Sequence, residues 1–234
     1  MNEEIKILLI AAASIGFIHT LTGPDHYLPF IMMAKAGKWS KFKTLWVTVL
    51  CGFGHVLSSV LIGIIGIAAG ISINKLELIE GTRGEIAGWL LIAFGLVYMI
   101  WGIKKAFKNK PHSHIHINED GTYIMHSHKH NGEHVHNEKK KTLTPWILFV
   151  IFVLGPCEPL IPLLMFPAIE QSTTGLILVT LVFGIITIAT MTAIVMLSLW
   201  GLNFIPLKKA ERYSHAIAGF TIFVSGLAIN LLGL

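Results

Sequence analysis

His19-Thr20-Leu21-Thr22-Gly23-Pro24-Asp25-His26 and Gly155-Pro156-Cys157-Glu158-Pro159 are polar interruptions inside two otherwise apolar runs. Each places ionisable groups where a lipid-embedded sequence would carry only hydrocarbon. A charge at the centre of a spanning helix costs roughly 2.5–3.5 kcal/mol on insertion scales, so such groups mark a functional site by default. Proline removes an amide donor and clashes with the preceding turn. The freed backbone groups are tolerated at membrane depth only when buried in protein or lining a polar cavity. The two stretches therefore predict a pair of broken helices facing one another within a membrane protein.

Composition points the same way. The 234 residues are 53% hydrophobic and 13% charged, where soluble proteins carry about 25% charged residues. Six apolar stretches lie near 5–34, 44–72, 84–106, 145–168, 173–203 and 214–234, each long enough to cross roughly 30 Å of hydrocarbon. Only Asp25 and Glu158, of thirteen acidic residues, fall clearly inside them. The start Met1-Asn2-Glu3-Glu4 lacks the basic region of a signal peptide, so the first helix is read as retained.

Fifteen of the eighteen Lys and Arg residues follow the first, third and fifth stretches, leaving Lys6, Lys75 and Arg83 for the opposite side. The positive-inside rule then puts both termini outside and the loop after the third helix in the cytoplasm, in a bacterial or archaeal cytoplasmic membrane. The net charge of +5 reflects this topology rather than nucleic-acid binding. Cys51 and Cys157 both lie in apolar segments and make no disulfide framework.

The halves repeat. Gly23-Pro24 recurs as Gly155-Pro156 at an offset of 132, and Gly52 recurs at Gly184, which sets His55 opposite Thr187. Gly88, Gly95 and Gly102 match Gly219, Gly226 and Gly233 at an offset of 131. Glycines seven apart keep one helix face small for close packing. Three helices per copy is an odd number, so the second copy enters from the opposite side, as in inverted-repeat transporters whose broken helices form a midplane site. The expected architecture is all-α: residues 1–106 form the first three-helix repeat, 107–143 a cytoplasmic His-rich loop, and 144–234 the second repeat.

His19, Asp25 and His26 frame the first break, and His55 sits between small neighbours in Gly52-Phe53-Gly54-His55. Imidazole nitrogens with a carboxylate suit borderline divalent metals, whereas calcium and magnesium prefer oxygen. A lone His55 is equally well a neutral core residue bonded to a carbonyl. Cys157 and Glu158 occupy the repeat positions of Asp25 and His26 and could complete an ion path, relay protons or bond freed amides. Thr187 could line the same cavity, although back-bonding to its own helix is the simpler role. The loop adds His112, His114, His116, His126, His128, His130, His134 and His136, with Asp120-Gly121 as a hairpin turn. Such a tract is either a flexible linker or an auxiliary metal binder.

Together, His19-x5-Asp25-His26, Gly54-His55, the Pro-Cys break and the His-rich loop resemble the nickel/cobalt transporter superfamily, in its branch of nickel–cobalt efflux and UreH-like membrane proteins. That resemblance implies metal selection by His19, Asp25, His26 and His55. The chain departs from it in lacking the tighter His-x-x-Asp-x-Asp-His spacing and in carrying Glu158-Pro159. The implied function is transport of a divalent ion, Ni2+ or Co2+ with Zn2+ as a further candidate, as substrate rather than permanent cofactor. Export is favoured by the cytoplasmic histidines. The partners are then the lipid bilayer and the ion, and no enzymatic activity or nucleic acid is expected.

Two alternatives stand beside this. Membrane thiol–disulfide carriers of the cytochrome c biogenesis type also duplicate three helices and use a Pro-flanked cysteine in each copy. Cys157 fits, but its repeat partner is Asp25, and Cys51 lies elsewhere in its helix. The other is a small-anion or sulfur-compound exporter binding at helix N-termini, which Asp25 and Glu158 oppose unless both are protonated.

Overall fold

The structure is a computed structural model that describes residues 3–108, 112–117, 123–128, 143–170, 172–202 and 211–232. Helix α1 (Glu3–Thr22) ends at Gly23, a 3-10 turn follows over Pro24–His26, and α2 (Leu28–Ala36) resumes. Next come α3 (Lys41–Ala68) and α4 (Ile73–Lys108). Strands β1 (His112–Ile117) and β2 (Tyr123–His128) then pair antiparallel, with His112 opposite His128 and His114 opposite His126. The second half runs α5 (Thr144–Leu154), α6 (Leu160–Ile169), α7 (Thr173–Leu202) and, after a 3-10 turn, α8 (Ser214–Leu232).

Five helices are long and apolar enough to cross a membrane, and α5 and α6 are shorter apolar helices on either side of the second break. The protein is a multi-pass, helical membrane protein. Large apolar side chains such as Trp46, Ile65, Trp89, Val97, Ile185 and Leu197 are exposed, as lipid-facing residues must be.

Local chemistry fixes the helix ends. Ser40 caps α3 by accepting a hydrogen bond from the Lys43 amide at 3.2 Å. Gly70 closes the same helix with φ +67°, the left-handed region glycine enters without strain. Proline at the start of α5 gives up no helical bond, because the first amides of a helix have no internal acceptor.

The third span differs from its sequence reading. It begins at Ile73 rather than near residue 84, because Glu80 and Arg83 stand three apart on one helical face and pair with each other. Helix α4 is therefore about 54 Å long at 1.5 Å per residue.

The main seam is α4 against α8. A Cβ built on Gly95 would lie 2.9 Å from the Gly219 carbonyl oxygen, and one on Gly219 would lie 2.8 Å from that of Gly95. Gly226 meets the Gly88 carbonyl at 3.1 Å in the same way. Gly88 faces Asn230, Gly95 faces Phe223 and Gly102 faces Ala216, so the two helices run antiparallel. Beyond this seam, α1 packs on α7, α3 on α5 and α7, and α2 on α8. One apolar cluster joins Phe30, Cys51, Phe152 and Met191; another joins Val56, Cys157, Leu160 and Phe183. Cys157 of the second break belongs to the second of these clusters.

Candidate functional site

At the first break the Gly23 amide still donates to the His19 carbonyl at 3.0 Å, and the His26 amide donates to the Gly23 carbonyl at 3.1 Å. Pro24 cannot donate, so the chain tightens into a 3-10 turn that swings His26 inward. The His26 Nδ1 lies 3.2 Å from the Gly23 carbonyl oxygen and 3.1 Å from Asp25 Oδ1. Both neighbours are acceptors, so Nδ1 carries the proton and Nε2 keeps its lone pair.

His55 repeats this logic from α3. Its Nδ1 donates to the Phe152 carbonyl at 3.3 Å, near the end of α5, which again leaves Nε2 as the free acceptor. Small residues make the room: Gly155 lies close enough that an added Cβ would stand 3.2 Å from His55 Nδ1. His26 and His55 are both 3% exposed.

The rings form a sequence of perpendicular neighbours. His19 and His26 have centroids 4.8 Å apart at 81°, and His26 and His55 are 5.1 Å apart at 88°. The Nε2 atoms of His19, His26 and His55 are all buried without a hydrogen-bond partner among the described residues. Burying a polar atom unpaired carries a penalty of about 1–3 kcal/mol, so three together point to an external partner. Cys157 completes the group: ligand atoms of His19, His55 and Cys157 all lie within 4.8 Å of one another.

The other residues read from sequence fall differently. Asp25 stands behind His26, bonded to its Nδ1, where it orients the ring. Glu158 is exposed and faces α4, with its Oε1 3.9 Å from where a Gly81 Cβ would be. Thr187 is buried without a partner among the described residues, against Gly16 and one turn before His19 and Thr20. Of the loop histidines, His112, His114, His116, His126 and His128 lie on β1 and β2. His130, His134 and His136 lie outside the described residues.

Sequence reasoning missed the support of the second break. Pro156 and Pro159 leave α5 without continuing amides, and α4 supplies the partners. Arg83 Nη2 donates to the Val153 carbonyl at 2.8 Å and to the Gly155 carbonyl at 3.3 Å. The Cys157 amide donates to Glu80 Oε2 and to Ser59 Oγ, both at 3.1 Å. Arg83 Nη1 donates to Glu80 Oε1, and Glu80 is fully buried. The signal in the sequence was Glu80-x-x-Arg83, an opposite-charge pair at helical spacing just ahead of the Gly84 and Gly88 face.

The model for the cytochrome c biogenesis protein transmembrane region matches residues 28–228. This overturns the expected membership in the nickel/cobalt transporter superfamily, since His-x5-Asp-His and a His-rich loop are short features that do not carry a family assignment alone. The match also supports the thiol–disulfide carrier alternative better than nickel or cobalt transport. No curated protein and no solved structure matches the chain significantly.

Proposed function

The chain belongs to the family of cytochrome c biogenesis transmembrane regions, and we propose that its two broken helices hold and pass on a transition-metal ion. The proposed donors are His19, His26, His55 and Cys157. The observation that carries this reading is the approach of His19, His55 and Cys157 ligand atoms to within 4.8 Å of one another, with the His26 ring packed between the two imidazoles and all three Nε2 atoms buried without a partner among the described residues.

Three nitrogens and a sulfur suit a tetrahedral ion of the zinc class, for which bonds run about 2.0–2.1 Å to nitrogen and 2.3 Å to sulfur. Charge agrees with a divalent substrate. A Cys157 thiolate and the Asp25 carboxylate together cancel a 2+ ion, while Glu80 and Arg83 cancel each other. Asp25 acts through His26, fixing its tautomer as outer carboxylates do for metal-bound histidines.

The frame in this proposal is two three-helix units of opposite topology, α1–α2 with α3 and α4, then α5–α6 with α7 and α8. Its support is that packing exchanges between them: α1 meets α7 as α5 meets α3, and α2 meets α8 as α6 meets α4. The basic side, carrying the His-rich loop, is assigned to the cytoplasm. The histidines there would concentrate the ion on the side from which it leaves.

Zinc binding to the purified protein, followed by zinc flux in proteoliposomes, tests the reading. His26→Ala and Cys157→Ser are each expected to weaken binding by about 10-fold or more. Unchanged binding and flux in both variants would sink it.

A second reading follows from the family itself: Cys157, in its Pro-flanked break, as a redox carrier thiol. Such a relay needs a second thiol with its Cα within about 7 Å. Cys157 lies level with Ser59, and Cys51 is eight residues back along α3, about 12 Å of helical rise away. Both thiols are free. Differential alkylation decides the matter: a reversible Cys51–Cys157 bond under oxidant would move the assignment to thiol carriage.

A further inference from the structure

The Glu80–Arg83 pair does more than fill a buried space. An ion pair removed from water is often no more stable than apolar residues of the same volume, and it is strongly destabilising when one partner is missing. Here the bonding capacity left over from the pair goes to the second break. Arg83 Nη2 reaches the Val153 and Gly155 carbonyls before Pro156, and Glu80 Oε2 reaches the Cys157 amide after it. Ser59 Oγ joins the two: it donates to Glu80 Oε2 at 2.8 Å and accepts from Arg83 Nη1 at 3.2 Å and from the Cys157 amide at 3.1 Å. Ser58 Oγ accepts from Arg83 Nη2 at 2.7 Å. Pro156 rests on Gly84, where an added Cβ would lie 2.9 Å from its Cγ.

The Val153 and Gly155 carbonyls before Pro156 and the Cys157 amide after it are thus held by one network. The network stops one atom group short of the thiol. It holds the Cys157 main chain, not the sulfur, and leaves Sγ turned toward His19 and His55.

We propose that Glu80, Arg83 and Ser59 form a positioning clamp that sets the Cys157 thiol against the imidazoles and so selects ions that take sulfur as well as nitrogen. The clamp rests on the metal reading for its selectivity, but its hold on Cys157 does not. The pair has no net charge, so it contributes geometry rather than attraction for a cation. Arg83→Lys keeps that neutrality while losing the planar fork that reaches two carbonyls at once.

The test uses the full chain in detergent, in a Cys51→Ser background, with Co2+ alone as the probe. Two signals are read: the thiolate-to-cobalt charge-transfer band in the near ultraviolet and the visible d–d bands of nitrogen coordination. A third readout needs no metal, the rate at which a small maleimide alkylates Cys157. In Arg83→Lys the charge-transfer band is expected to fall by about 10-fold while the d–d bands persist, and alkylation to accelerate by a similar factor. Ser59→Ala removes only one link of the network and is expected to shift both in the same direction by less, which keeps the test open if the arginine variant does not fold. Unchanged alkylation and unchanged charge transfer in both variants would overturn the clamp. So would loss of both cobalt signals together with the melting transition in Ser59→Ala, since that is the mark of a structural network alone. Faster alkylation in the variants, with no cobalt spectrum even in the parent, would leave the clamp standing and overturn the metal reading instead.

Discussion

At Gly23–His26 the chain turns using its own backbone and an imidazole, whereas at Gly155–Pro159 it is carried by a guanidinium and a carboxylate from another helix. The first break has one proline and a continuous set of short-range bonds: Gly23 to His19, His26 to Gly23, Tyr27 to Pro24. The second keeps short-range bonds on either side, Gly155 to Ile151 and Leu160 to Cys157, but with prolines at 156 and 159 it takes the partners of the Val153 and Gly155 carbonyls and the Cys157 amide from α4 and α3. Self-closure leaves the first break's side chains available for chemistry, so two of the three imidazoles sit there. Outside support fixes the second break's main chain and leaves only one donor, Cys157, pointing inward. Stability and ligation are thus divided unequally between the two Gly-Pro breaks.

That division can be broken most forcefully at Glu80. Glu80→Ala strands the Arg83 guanidinium, and a loss of about 3–5 kcal/mol in unfolding free energy is expected from SDS titration. The corresponding truncation at the first break, Asp25→Ala, is expected to lose only about 1 kcal/mol, because His26 Nδ1 still has the Gly23 carbonyl and the Asp25 side chain is 27% exposed. A larger loss at Asp25 than at Glu80 would reverse the comparison.

On the binding side the order inverts. Asp25→Asn removes the carboxylate that orients His26 and is expected to weaken zinc affinity by about 10–100-fold, read by competition with a zinc chelator, with little change in melting. An unaltered affinity would mean that the Gly23 carbonyl alone orients the ring.

The smallest effect belongs to Gly155→Ala. Its new methyl group would meet His55 Nδ1 at 3.2 Å, a tight contact that the ring relieves by a few tenths of an ångström, at about 1 kcal/mol. Zinc affinity is expected to fall by under about 10-fold, consistent with that energy. A loss as large as that of Asp25→Asn would show that the second break controls the imidazoles as closely as the first.

The breaks, the imidazoles and the glycine rows were legible in the sequence, because each is a local exception to lipid-compatible composition. Gly88 and Gly95 against Gly219 and Gly226 also read correctly as small faces, since a seven-residue repeat returns to one side of a helix. Glu80 and Arg83 were not legible for the same reason that the third span was cut short: hydropathy treats two charges as an end, while in the folded chain they neutralise each other. Glu158 was read as a buried carboxylate because its neighbours are apolar in sequence, yet the turn after Pro156 rotates it out toward α4. The roles of Asp25 and Cys157 depend on which side of an imidazole each occupies, which spacing along the chain does not encode.

The antiparallel seam of α4 and α8 has a consequence for how the molecule comes into being. Helix α8, from the C-terminal half, packs on the first break, and α4, from the N-terminal half, packs on the second. Neither half can finish its own kink, so each is incomplete until the other arrives. A polypeptide severed in the 107–143 connector and made as two pieces is expected to reach the bilayer as unfinished fragments that mature only by finding each other.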